Sequence, residues 1–473
     1  MPCLSQPSIG LCRVLRHAGV HALVISCLVT ISPALADSQF TVVHQFTSNR
    51  TDGGNPIDGL ITGPSGKLYG VTFQGGKNPL RCLINGSTSQ CGTVFELSAP
   101  KGVHAQYNEK PIHRFSGGDG FEPSTRLVSD SSGALYGATL SGSGEAKDCT
   151  MSKGFECGVV YKLTPPASRS SEWTATVLHR FSDVGEKFKD GYQLLGGMVM
   201  DSSGALIGVT NSGGSRSNHC SDKFAGCGVV FRLTPPAGNG TEWKETVLYT
   251  FGDNGPIDAE KPDAAIVMDA HGAVYGTTQF GGPGVAGTVW KLTPPSKGQS
   301  SWTESIVHGF SGPDGFRPFG PVLIDAKGAI YGGTIQGGPD QNCASGEFTC
   351  GVIYKLTPPR KGKTEWTATV LHEFGSPHDG ASPDFGLVAD ENGNLFGTTG
   401  NGPGNNGVLG TVFELSPPTG GGKAWTEKVL HTFTGGSDGQ TPSGGLVLSD
   451  GALFGMAEAG GDFLGGTLFM INP

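Results

Sequence analysis

The stretch "CGTVFELSAP" occupies residues 91–100, and close copies of it return six times. They read "CGVVYKLTPP" (157–166), "CGVVFRLTPP" (227–236), "AGTVWKLTPP" (286–295), "CGVIYKLTPP" (350–359), "LGTVFELSPP" (409–418) and a worn "GGTLFMINP" (465–473). Three further runs accompany each copy in fixed order. One resembles "GLITG" (59–63) or "PVLID" (321–325), the next "KLYGVT" (67–72) or "NLFGTT" (394–399). After the motif comes "PIHRF" (111–115), "VLHRF" (177–181) or "VLHTF" (429–433). Each run has four to six residues, is rich in β-branched and aromatic types, and is bounded by turn residues, which is strand chemistry. The first two runs are joined by "DSSG" (130–133, 201–204), "DAHG" (269–272), "DAKG" (325–328) or "DENG" (390–393). Asp at the first and Gly at the fourth position mark tight turns.

Four antiparallel strands repeated seven times, with no helical segment between, predict an all-β fold: a seven-bladed β-propeller of four-stranded blades over residues 37–473. Gly (79) and Pro (31) recur at fixed places, so they punctuate turns rather than signal disorder. The chain opens on a lone fourth-type strand (40–46) and ends on a third-type strand. The N-terminal strand is therefore expected to close the ring as the outer strand of the last blade.

Residues 1–36 are a different polymer. Arg13 and Arg16 precede an apolar run (18–31) too short to span a bilayer as a settled helix, and "ALA" (34–36) offers small residues before Asp37. This predicts a secretory signal peptide. Without Arg13 and Arg16 the chain carries 30 basic and 41 acidic residues, a net charge of −11. An acidic surface with no basic cluster argues against nucleic acid as a partner, and no later run is long and apolar enough for stable membrane insertion. The expectation is a secreted monomer, released to periplasm or medium.

The pattern "LYGTT…GG…GTVFKLTPP…VLHxF…DGxxP" resembles the GloVer tandem-repeat family of exported bacterial proteins and covers 40–472. The resemblance implies the repeat fold and export, and carries no catalytic residues with it. More weakly, "DSSGALYG" resembles the blades of antibiotic-cleaving propeller lyases.

Eight Cys follow the leader, as Cys82/Cys91, Cys149/Cys157, Cys220/Cys227 and Cys343/Cys350, always in the loop between the second and third strands. Units with a short Gly-rich version of that loop have no Cys at all. Four local disulfides stapling long loops account for both facts. Zinc is the alternative, but the thiols lack the short knuckle spacing and no His joins them.

Residues present in every unit read as structural, whereas a functional site should break the pattern. His44, His113, His179, His308, His372 and His431 share one place in the fourth strand, taken once by Tyr249, and read as packing and hydrogen bonding. His104, His219, His271 and His378 are irregular, each without a visible partner. Trp173, Trp243, Trp302, Trp366 and Trp425 open the fourth strand and read as a structural clasp, with carbohydrate stacking as the alternative. No nucleophile elbow, P-loop, HExxH or EF-hand motif is present. The connection to the next unit carries Asp52, Asp119, Asp190, Asp258, Asp314, Asp379 and Asp438. They are expected to lie around the channel mouth, either as Asx-type turns or as a carboxylate ring that concentrates cations such as calcium. No other cofactor is expected.

Two functions are open at this stage. One is a non-catalytic exported propeller binding a protein, glycan or small ligand. The other is a lyase or hydrolase with its site at the channel mouth, which a convergence of non-periodic His, Glu or Lys there would favour.

Overall fold

The computed structural model describes Ser38–Pro473, with 48–51, 65, 77–82, 85–86, 89–90, 102–105, 143–156, 169–171, 183–188, 215–218, 222–224, 239, 256, 339–349, 377–378, 403–408, 421 and 423 left out. The leader expectation therefore lies outside the described residues, as do His104 and His378. No described helix is long and apolar enough to cross a membrane.

The four recurrent runs are four strands hydrogen-bonded in sequence order. In blade 1 these are Gly54–Thr62, Leu68–Gln74, Thr93–Ser98 and Asn108–Arg114. Six more sheets repeat the pattern, and together they form a seven-bladed β-propeller. Blade 7 is composite. Gln440–Ser449, Ala452–Ala459 and Thr467–Asn472 come from the end of the chain, and Gln39–Gln45 from its start adds the outer strand antiparallel, with Gln39 opposite Asn472. The strand expected at 40–46 is found as Gln39–Gln45 and closes the ring as its unmatched phase foretold.

The repeated motif is explained at the junctions between blades. Its fifth residue is an aromatic that lies edge-on to the Phe ending the previous blade's fourth strand. The pairs run Phe46–Phe95, Phe115–Tyr161, Phe181–Phe231, Phe251–Trp290, Phe310–Tyr354, Phe374–Phe413 and Phe433–Phe469, at 5.0–5.4 Å between ring centroids. Each Phe is at most 2% exposed. The core is accordingly not one cluster but one per junction, drawn from two neighbouring blades each time. Adjacent edge-to-face pairs of this kind add about 0.5–1.5 kcal/mol each beyond their buried area.

The second motif residue is Gly because the next blade's Pro sits on it. A Cβ at Gly92 would lie 2.4 Å from Pro123 Cδ, and its φ is +86°. The first motif residue works only through its backbone. The carbonyls of Cys91, Cys227, Ala286, Cys350, Leu409 and Gly465 each accept an N–H from the next blade, donated by Glu122, Lys261, Arg317, Ser382, Thr441 and Asn55. All six donors are left-handed, with φ between 53° and 61°. Any residue can offer a carbonyl, so Cys at this place is free to serve the loop before it. Cys220 and Cys227 are bonded to each other. Cys91, Cys157 and Cys350 are also disulfide-bonded, while Cys82, Cys149 and Cys343 lie outside the described residues.

Candidate functional site

The repeated polar residues form a ring of clasps at the outer strands. Every fourth strand carries a β-bulge just before its central residue, which leaves one residue unpaired, Ile112 in blade 1. A bulge re-aims the side chain that follows it. Here it turns the His onto the Asp of the next connection in four blades, whereas in blade 2 the His179 Nε2 is enclosed with no hydrogen-bond partner. His113 Nε2 meets Asp119 at 2.9 Å, His308 meets Asp314 at 2.7 Å, His372 meets Asp379 at 3.2 Å and His431 meets Asp438 at 3.1 Å. The Tyr249 hydroxyl donates to Asp258 at 2.8 Å, and His44 stands 4.0 Å from Asp52.

The same Asp caps the turn. Asp52, Asp119, Asp258, Asp314, Asp379 and Asp438 accept backbone N–H bonds from Thr47, Ser116, Gly252, Ser311, Gly375 and Thr434. Burial pushes the Asp314 carboxyl up, but the bonds from Ser311 and His308 outweigh it and hold the group below the usual carboxylate range. None of the seven Asp is among the residues that line the axial cavity, and six of them are held in the turn bonds just described. The Trp residues clasp across junctions rather than within a hairpin: Trp173 lies edge-on to Tyr69 and Trp243 to Tyr136 of the preceding blade. His219 and His271 are exposed and remain away from the cavity.

The innermost strands of all seven blades enclose a cavity of about 380 Å³ on the propeller axis. Its wall comes from two places in each unit. One is the three residues after the connection's Pro (Leu194 in blade 3), which supply Ile57 and Asp58, Ser124 and Arg126, Leu195 and Gly197, Asp263-Ala264-Ala265, Phe319-Gly320-Pro321, Asp384-Phe385 and Ser443-Gly444. The other is the residue one past the second strand's last Thr, or Ala457 in blade 7: Phe73, Asn211, Gln279 and Glu458 among the lining. Flanked by Pro (Leu194 once) and by Leu, Met, Ile or Val, these are places where the blades differ from one another. The filter that marked the His ring as structural, applied to each column of the repeat, picks out this wall; the sequence reading applied it to the His, Trp and connection Asp sets and not to these columns, and missed the site.

Five ionisable groups converge there: Asp58, Arg126, Asp263, Asp384 and Glu458. One is a Glu, and among the described lining there is no His or Lys. Burial raises the Asp58 carboxyl to about 8, the Glu458 charge adds to this, and Arg126 opposes it. Arg126 Nε also donates to the Leu60 carbonyl at 3.1 Å. Asp263 is raised by burial to about 6 against hydrogen bonds from Asn211 and Gln279. Burial raises Glu458, opposed by a hydrogen bond from Asn55. Asp384 is raised by burial well above the usual range, and its Oδ1 is enclosed with no hydrogen-bond partner.

With fold and wall defined, the chain can be set beside known proteins. The model of the Gloeobacter/Verrucomicrobia repeat matches residues 27–221, 81–344 and 270–473. The chain belongs to this repeat family. No curated protein matches it by sequence. Among solved structures it is similar to the extracellular domain of a protein described as a hybrid two-component system of B. thetaiotaomicron, at 14% identity and a TM-score of 0.46. That match covers 92% of this chain and 41% of the other, so the chain spans less than half of that relative. The PQQ-bound aldose sugar dehydrogenase of Streptomyces coelicolor matches at 12% identity and a TM-score of 0.38, covering 92% and 98% of the two chains. A gluconolactonase of Xanthomonas campestris matches at 14% and 0.36, covering 72% and 82%. Likeness at this level concerns the fold alone.

Proposed function

We propose that this Gloeobacter/Verrucomicrobia repeat protein is an exported binding propeller that takes a small molecule into its axial cavity and does no chemistry on it. The observation that carries this is the coincidence of two independent maps. Within the regular part of the repeat, columns in which the seven units differ from one another line the cavity. Structural duties recur in every blade, and a single asymmetric ligand needs a wall that does not. At about 380 Å³ the cavity lies at the small end of ligand sites, which run from roughly 300 to 1,000 Å³. Export is supported by the leader-like N-terminus and by the Cys220–Cys227 disulfide.

The enzyme reading has one observation behind it: Asp58 and Glu458 are neighbouring carboxyls, and one held protonated near neutrality suits a general acid. Binding is favoured because no His or Lys accompanies them in the described wall, and its two serines, Ser124 and Ser443, donate to the Leu194 and Pro56 carbonyls rather than to a base. A thermal-shift screen of small ligands, glycans and divalent cations tests the proposal, with Ala265→Phe as the control that fills the cavity. A ligand that stabilises the wild type and not the filled variant is the expected result. Stabilisation that survives the filling places the site elsewhere, and turnover lost in Asp58→Asn would establish the enzyme.

A further inference from the structure

Four carboxyls and one guanidinium share the cavity, so their partners can be assigned one by one. Asp58 faces Arg126. Asp263 accepts from the side-chain amides of Asn211 and Gln279. Glu458 accepts from Asn55. Asp384 receives nothing from another side chain, and its Oδ1 is enclosed without a partner. A buried polar atom left unpaired is destabilising, and more so if charged, so the fold maintains this carboxyl at a loss.

The surroundings make room for it. In the other units the place of Gly400 is taken by Phe73, Leu140, Asn211, Gln279, Ile335 and Glu458. In blade 6 it is Gly, and a Cβ there would lie 2.8 Å from Asp384 Oδ2. On the chain's other side the backbone of Asp384 packs against Gly320, where a Cβ would stand 2.8 Å from the Asp384 carbonyl oxygen. Two aromatic rings adjoin the acid in the wall. Phe385 follows it in sequence, and Phe319 from blade 5 meets Phe385 edge-on at 6.4 Å between centroids.

We infer that the cavity takes a small organic cation, its protonated amine seated on Asp384, with Phe319 and Phe385 in the same wall. This rests on the axial-cavity reading and adds the ligand's charge and orientation. An ammonium donates to the orphan oxygen and supplies the opposite charge that a hydroxyl cannot. The faces of Phe rings attract a cation, and Ile57, Phe73 and Leu195 offer apolar wall to the remainder of the molecule. An anion would meet four carboxyls and one Arg. A metal ion is disfavoured because no described group of three His, Cys, Asp or Glu could hold one.

Isothermal titration and thermal shift with benzylamine, its uncharged isostere benzyl alcohol, and glucose decide the matter, run on wild type, Asp384→Asn, Phe319→Leu and Ala265→Phe. The expected result is one benzylammonium per chain, with affinity reduced about tenfold or more in Asp384→Asn, as for a lost charge-assisted hydrogen bond. Phe319→Leu loses less, and Ala265→Phe loses binding. Asp384→Asn removes an unpaired carboxyl, so without ligand it melts no lower than the wild type, and a weak result cannot be blamed on unfolding. If benzyl alcohol or glucose binds as well as the amine and Asp384→Asn changes nothing, the cation inference falls while the cavity reading stands. If no probe binds, or binding survives in Ala265→Phe, both fall.

Discussion

Asp314, in a connection that joins one blade to the next, and Asp58, in the first strand of blade 1, are both carboxyl groups, and they have opposite surroundings. Asp314 belongs to a set that recurs in every unit, and its charge is met by Ser311 and His308. Asp58 has no counterpart in another blade and stands by a second carboxyl, with Arg126 the opposing charge. The repeated acid is held ionised, and the solitary acid is held protonated. In a repeat protein the first pattern marks a part that holds the ring together, and the second marks a part on which something else acts. The comparison can be broken at several levels.

The largest effect belongs to closure, where the repeated architecture depends on one terminal strand. Removing Gln39–Phe46 leaves blade 7 with three strands and strips the N–H bond from Phe46 to Gly466. The truncated chain should lose cooperative melting. Phe46→Ala alone, with Phe46 fully buried and edge-on to Phe95, should cost about 3–5 kcal/mol in a denaturant titration. A truncated protein that melts like the intact one would overturn the closure model.

The staple comes next. Cys220 and Cys227 are seven residues apart, and a loop of that size gains about 2 kcal/mol from its cross-link. Cys220→Ser with Cys227→Ser should lower stability by that amount and leave the cavity intact. Ligand binding lost in step with stability would show that the stapled loop belongs to the site.

Within the clasp ring, Asp314→Ala should cost about 1–2 kcal/mol, since it removes a turn cap and strands the His308 imidazole. Asp314→Asn, which keeps one acceptor for Ser311 N–H, should cost less. Neither should respond to calcium. A calcium-dependent rise in melting temperature that vanishes in these variants would restore the cation-ring reading.

These levels were unequally legible in the sequence. Blade number, strand order and the closing strand could be read because each follows from a local pattern copied seven times, and copying averages out local accident. The His–Asp clasp was half visible: both residues stood out as recurrent, but their bond depends on the bulge before His308, which places that ring over a turn six residues on. The wall was visible only as difference. Asp58, Arg126 and Glu458 are far apart in the chain and unremarkable alone, and they meet because first-strand residues of every blade face one axis. The relevant signal was the column after each Pro (Leu194 in blade 3), which reads Ile57, Ser124, Leu195, Asp263, Phe319, Asp384 and Ser443 and keeps no common residue type around the ring.

The smallest effect on stability at neutral pH, and the sharpest test of the contrast, is its dependence on pH. Asp314 has a lowered folded-state pKa, so its contribution is present above the unfolded carboxylate pKa and is lost as pH falls through the folded value. Asp58 has a raised one, about 8. Its folded form holds a proton that the unfolded chain releases near the ordinary value of about 4. Its contribution is therefore fully present in acid and is lost progressively as pH rises from about 4 to about 8. Asp58→Asn imitates the protonated state and should flatten the stability curve across that window, with the variant gaining on the wild type toward pH 8. Asp314→Asn should do the reverse and narrow its deficit as the pH falls below the usual carboxylate range. Chemical denaturation of the three proteins at intervals from pH 3 to pH 9 measures both slopes. Parallel curves for wild type and Asp58→Asn would mean that Arg126 neutralises Asp58 fully, and the division between an ionised clasp and a protonated wall would fail at its best-defined acid.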